Sequence, residues 1–270
     1  TLTMTRNAPL VQGATGDNAH YGLGQNIFAN SFTAAVKVAN IDFPVEVEPC
    51  VYLYNTGSFS QWGSQTNTNN SNDQTEDAAP GSYLALPKNA TTYMDERYRQ
   101  IPSMQGFLLR FTKAETVFGR PAVNVPFPYR TKVEENKVAQ RSREKASNSL
   151  NDGALKIHLS GNGTTDMMWL IEHPETDDTY NNGWDGMKSI TSTASGVLFS
   201  ETAEAGKLQI NASNDLLGQT VTVIPAAPGS YTLTITRQGL KQYENLKMID
   251  LQEERVVNLA NDTVKYSFTA

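Results

Sequence analysis

The feature that most constrains this chain is a two-residue alternation that keeps returning along its second half. In SYTLTITR, which begins at Ser230, Tyr231, Leu233 and Ile235 fall on one side of an extended backbone and Thr232, Thr234 and Thr236 on the other. A segment patterned this way is a strand with one face in a core and one face wet. Strand-like segments recur at residues 154–159, 167–172, 196–200, 207–211, 219–224, 246–251, 256–259 and 264–269, with turns supplied by Pro228-Gly229 and Asn261-Asp262. No amphipathic helix is long enough to cover a sheet, so sheet must cover sheet. The expected fold class is all-β, with two antiparallel β-sandwich units of jelly-roll or Ig-like type.

The first half carries weaker signals. Residues up to about Gly24 read as a polar, Gly-rich entry, and strands are expected at 31–38, 51–55, 83–86, 105–111 and 123–127, with an edge strand at 41–47 interrupted by Pro44. Residues 94–100 suit a single helical turn. The segment 64–77, SQTNTNNSNDQTED, contains no apolar residue and is expected to be a solvated loop. Residues 131–148 mix Lys132, Lys137, Arg141, Arg143 and Lys145 with Glu134, Glu135 and Glu144, which reads as a charged linker. A boundary placed there gives an N-terminal domain 1–146 and a C-terminal domain 147–270. A chain of 270 residues is long enough for each to bury a core.

The chemistry concentrates in residues 165–188, TDMMWLIEHPETDDTYNNGWDGMK. The run Met167 to Ile171 reads as a strand buried on both faces or a short core helix, and Pro174 with the Asp, Asn and Gly residues behind it argues against a helix continuing. Asp177, Asp178, Asn181, Asn182 and Asp185 then offer hard oxygen ligands within one loop, the donor set that Ca²⁺ takes. The spacing departs from a calcium loop, because Tyr180 stands at one ligand position and no Glu follows at the bidentate one. The competing expectation is a turn-rich loop whose Asx side chains bond their own backbone. Trp62, Tyr180 and Trp184 sit in turn-like segments and are the candidate ligand-binding aromatics, since sugar C–H faces stack on such rings; the alternative is that they plug the end of a sandwich. Trp169, inside the apolar run, is expected in the core.

The motifs of the common hydrolases, zinc proteases, redox dithiols and phosphate loops are absent from the sequence. Glu172 and Glu175, with Asp177 and Asp178, are the nearest thing to a glycosidase carboxylate pair. His173 reads as a loop histidine, while His158 and His20 converge on no obvious partner. The lone Cys50 excludes an internal disulfide and is expected to act as a small buried hydrophobe. Charged residues at 19% and aromatics at 9% fit a folded chain rather than a disordered one. A net charge of −6 with no concentrated basic surface argues against nucleic acid as a partner. No apolar segment reaches the roughly 18 residues of a membrane-spanning helix.

Taken together, VYLYNTGSFSQW, PGSYLALP, IPSMQGFLLRF, LKIHLSGNG, TYNNGWDGMK, GSYTLTI and VKYSFTA, spread from about residue 22 to 270, resemble a recurring β-rich region of large secreted and surface proteins of Bacteroidetes. It looks like the region that often precedes a type IX-like secretion-sorting domain. One departure stands near the start, where GQNIFANSF replaces the Gly-Asn-Pro-aromatic motif usual in those proteins. The resemblance implies export to the cell surface or beyond and carries no catalytic residues over. The expected function is therefore a secreted or cell-surface, non-enzymatic module with an adhesion or structural role, whose partners are glycans or other surface proteins. A carbohydrate-binding module and an envelope glycoside hydrolase are the alternatives. The polar start without a leader, and the ending on a strand-like VKYSFTA, lead to the expectation of a fragment of a longer exported protein.

Overall fold

The computed structural model describes residues 1–6, 24–54, 83–112, 122–127, 153–190, 196–202 and 206–270. Trp62, His20, the polar segment 64–77, the charged segment 131–148 and the 146/147 boundary lie outside these residues. The chain divides into two compact units, Thr1–Tyr54 with Leu86–Glu144, and Asn55–Ala85 with Lys145–Ala270. The described residues are all-β: they form several sheets and short 3-10 turns, with no α-helix.

In the first half the strands are β1 (Leu2–Met4), β2 (Gln25–Ala29), β3 (Val36–Lys37), β4 (Cys50–Tyr54), β5 (Tyr83–Pro87), β6 (Gln100–Ile101), β7 (Gly106–Arg110) and β8 (Val123–Val125). They form a sheet in the order β2-β7-β4-β5 and two antiparallel pairs, β1 with β8 and β3 with β6. Phe107, Leu109 and Phe111 are fully buried, as their alternation requires, and Cys50 is buried on β4, the strand that pairs with β7. Burial, with Glu48 nearby, pushes the Cys50 thiol well above its ordinary range, which makes it inert as a nucleophile. Two expected strands are cut short. Only Val36–Lys37 of 31–38 is strand, because the buried Asn30 side chain takes up the local backbone instead, donating to Ala34, Ile101 and Pro102 carbonyls and accepting from Phe32 N–H. Residues 41–47 keep a single bridge, Val47 to Phe111, in place of an edge strand. The expected helical turn within 94–100 is a 3-10 turn, Glu96–Tyr98.

The second half contains β9 (Gly153–Gly161), β10 (Thr164–Glu172), β11 (Gly186–Met187), β12 (Val197–Thr202), β13 (Gly206–Ser213), β14 (Thr222–Ile224), β15 (Ser230–Gly239), β16 (Lys247–Asp250), β17 (Arg255–Asn258) and β18 (Thr263–Thr269). Eight of them make one sheet, ordered β14-β12-β13-β10-β9-β15-β18 with β11 also on β13, while β16 and β17 form a separate hairpin. The β9–β10 hairpin shows how sequence sets register. Its two-residue turn is Asn162-Gly163, with φ of 50° and 70°. Positive φ at both positions is what a tight hairpin turn matched to strand twist demands, and Asn-Gly is the pair that tolerates it best.

The core of this unit joins Leu155, Ile157 and Leu159 of β9, Met168 and Leu170 of β10, Leu198 of β12, Tyr231, Leu233 and Ile235 of β15, and Tyr266 of β18. Strand β10 is a strand, not a helix, and both of its faces are buried: Met167, Trp169 and Ile171 point away from that core yet are also covered. The sheet departs from purely antiparallel at one seam, where β10 runs parallel to β13. A parallel neighbour cannot be reached by a hairpin, so the chain between them must travel back, and β11 and β12 lie on that return.

This register yields a paired test. Leu233→Ala empties a buried position and should cost about 2–5 kcal/mol in urea unfolding. Thr234→Ala, on the half-exposed face, should cost well under that; equal losses would mean that the faces are reversed.

Candidate functional site

The loop that follows β10 starts where Glu172 leaves the sheet and ends where β11 rejoins it. Its first bond, His173 N–H to Ser213 O at 3.0 Å, continues the β10–β13 seam, and Thr176 closes a turn by donating its N–H and hydroxyl to His173 O. Asp177 accepts from the N–H and hydroxyl of Thr179 at 2.8 and 2.6 Å, and these bonds hold its carboxyl below the usual carboxylate range. Asn181 lies at the centre. Its amide donates to Asp177 O and Thr179 O, and its Oδ1 accepts Asp177 N–H at 3.1 Å.

Asp185 and Asn181 together finish the edge of β13. Beyond Ile210 the pairing of β11 stops, which leaves the outward N–H and C=O of Ala212 without a strand neighbour on that side. Asp185 Oδ1 accepts Ala212 N–H at 2.6 Å, and Asn181 Nδ2 donates to Ala212 O at 3.0 Å. The other Asp185 oxygen accepts Asn181 N–H at 2.6 Å. Two side chains thus stand in for a missing strand, as an unpaired buried backbone group would otherwise be costly. Asp185 is fully buried. Burial pushes its carboxyl from the ordinary 3.8 up to about 7, against the N–H donors of Asn181 and Ala212, which favour the charged form.

The other expected site residues take different roles. Asp178 Oδ1 accepts from Ser213 Oγ and Gln219 Nε2, both at 2.8 Å, and Asn182 is exposed. Among the described residues no three His, Cys, Asp or Glu side chains converge as a cation site would need. Trp184 is half-buried and stacks on His173, ring centres 4.1 Å apart, while Tyr180 is half-buried in the same loop. The Glu172 and Glu175 pair does not form, because Glu175 is exposed and Glu172 is buried and committed elsewhere.

That second cluster escaped sequence reasoning because its members are far apart in the chain. Glu172 accepts from Gln242 Nε2 at 2.6 Å and from Tyr243 hydroxyl at 2.5 Å, and the same hydroxyl lies 2.9 Å from Asp215 Oδ1. Burial, with the two carboxyls beside it, pushes the Tyr243 phenol above its ordinary range. Next to it a cleft of about 490 Å³ is lined by Leu217, Gln242, Tyr243 and residues 244–247. The one hint in the sequence was Glu172 itself, a charge on the same face of β10 as Met168 and Leu170.

No helix among the described residues is long and apolar enough to cross a membrane. No family model matches the chain, and no solved structure matches it. Over 166 residues the chain is 31% identical to "Minor fimbrium subunit Mfa5" of Porphyromonas gingivalis, an alignment that spans 61% of this chain and 13% of that protein. The match thus covers a small part of a much longer relative. It bears out the expected cell-surface or secreted location and the resemblance to a Bacteroidetes surface protein, and it lends no support to carbohydrate binding or glycoside hydrolysis.

Asp185 gives the loop a pH signature. Because its folded pKa lies above 3.8, the folded state holds a proton that the unfolded chain has lost between about pH 4 and 7. The contribution of this group to stability therefore falls as pH rises through that window. Denaturation midpoints from pH 4 to 8 should show this slope in the native chain and lose it in Asp185→Asn. Asp185→Ala should in addition cost about 1–3 kcal/mol for each N–H left unpaired.

Proposed function

We propose that this chain is a structural or adhesion-type module of a surface assembly in which its partners are other surface proteins. The observation that carries this reading is the similarity to a fimbrium subunit over 61% of the chain. The fold is in keeping with it, since Asn181 and Asp185 of the polar loop 173–185 bond the backbone of the loop's own sheet. On this reading the loop is a brace for the sheet. The two units are sandwich-like, jelly-roll or Ig-like, with the division between domains at 146/147, and a neighbouring type IX-like sorting domain directs export.

The test is where the protein is found and with what. Antibodies raised against the chain should label intact cells of the organism that makes it, and the protein should co-isolate with surface appendages sheared from those cells. Recovery from the cell interior alone, with sheared material free of it, would contradict a surface role.

A further inference from the structure

Asp166 is the third residue of β10 and lies on the face that carries Met168 and Leu170 into the core. Its register partner is Leu159, and its Oδ2 accepts Leu198 N–H at 2.7 Å, so two core residues flank it. Lys188 reaches it from the segment after β11, where Lys188 N–H donates to Lys207 O at 2.8 Å and fixes the backbone against β13. The Lys188 Nζ stands 2.5 Å from Asp166 Oδ1, and the two side chains are only 3% and 1% exposed. Among the described residues this oxygen is the one hydrogen-bond acceptor of Nζ.

As an ion pair the arrangement is poorly served. An ammonium has three protons to place, and a buried pair offsets its desolvation only when its remaining donors and acceptors are also met. A neutral amide would need far less. It would have one N–H in place of three, no net charges to desolvate, and a carbonyl oxygen already held by Leu198 N–H.

We propose that Lys188 and Asp166 are joined by an intramolecular amide bond between Nζ and Cγ. Nζ attacks Cγ, the new C–N bond forms as the Cγ–Oδ1 bond breaks, and two of the three ammonium protons leave with Oδ1 as water. The third remains as the amide N–H, and Oδ2 becomes the carbonyl. No oxidant or other reactant is consumed. In bulk water hydration of the ions opposes this condensation, whereas a site shut off from solvent withdraws that hydration and holds the two groups at reacting distance. The bond ties β10 to the segment after β11 and closes residues 166–188, with the Asp185 brace inside, into a covalent ring. It does not depend on the surface role.

Intact-mass spectrometry of the folded, full 270-residue chain tests it. The expected mass is that of the sequence less one water, and trypsin should yield a looped peptide of residues 157–207, lighter by one water and uncut after Lys188. Lys188→Arg, which cannot form the bond, should return the mass of its own sequence. A native chain with the full sequence mass, cut after Lys188 into linear peptides, would overturn the proposal without any variant having to fold.

Discussion

Strand β10 sets the terms for the unit around it, because from Asp166 on it is buried on both faces, and from Trp169 to Glu172 it is paired on both edges. Along that buried stretch each N–H and C=O must find a protein partner. On one side the Asn162-Gly163 turn delivers β9 in antiparallel register from Gly161 to Gly153. On the other side the partner is β13, parallel from Trp169 with Ile210 to Glu172 with Ser213. The parallel seam obliges the chain to make a return journey, and the polar loop after β10 is the first part of that journey.

That obligation explains why the group of carboxylates and amides after β10 serves the fold. Strand β13 is served on one edge by β12 and then β10, while its other edge carries only the short β11, which pairs Leu208 and Ile210 and then runs out. At Ala212 the remaining donor and acceptor are met by Asp185 and Asn181. Burial disfavours the charged form of Asp185, yet its oxygens meet N–H groups that would otherwise be orphaned. The same loop turns Trp184 onto His173. A surface protein of this kind presents a rigid sheet with its loop tied down, which suits a part that must hold shape.

Much of this was legible in the residues. The strands of the second half follow from period-two alternation, and Tyr231, Leu233 and Ile235 face the core as their spacing requires. Trp169 is buried, as expected of an aromatic inside an apolar run, on the face of β10 opposite Met168 and Leu170. The pairing partners were not legible, since β10 and β13 are some forty positions apart and nothing local records their direction. The strand expected over 31–38 shrinks to β3 because Asn30 competes for backbone that alternation alone assigns to a strand. Asp166 and Glu172 left a trace, being charges on the apolar side of β10, but their partners Lys188 and Tyr243 come from segments that read as ordinary polar loop and turn.

The central claim is that Asp185 and Asn181 replace a strand at the open edge of β13, and hydrogen exchange at one amide tests it directly. The N–H of Ala212 should exchange as slowly as the ladder amides of β13, and its protection should vanish in Asp185→Ala while that of Ile210 survives. An Ala212 amide that exchanges in the native chain at the rate of an exposed loop would contradict the account.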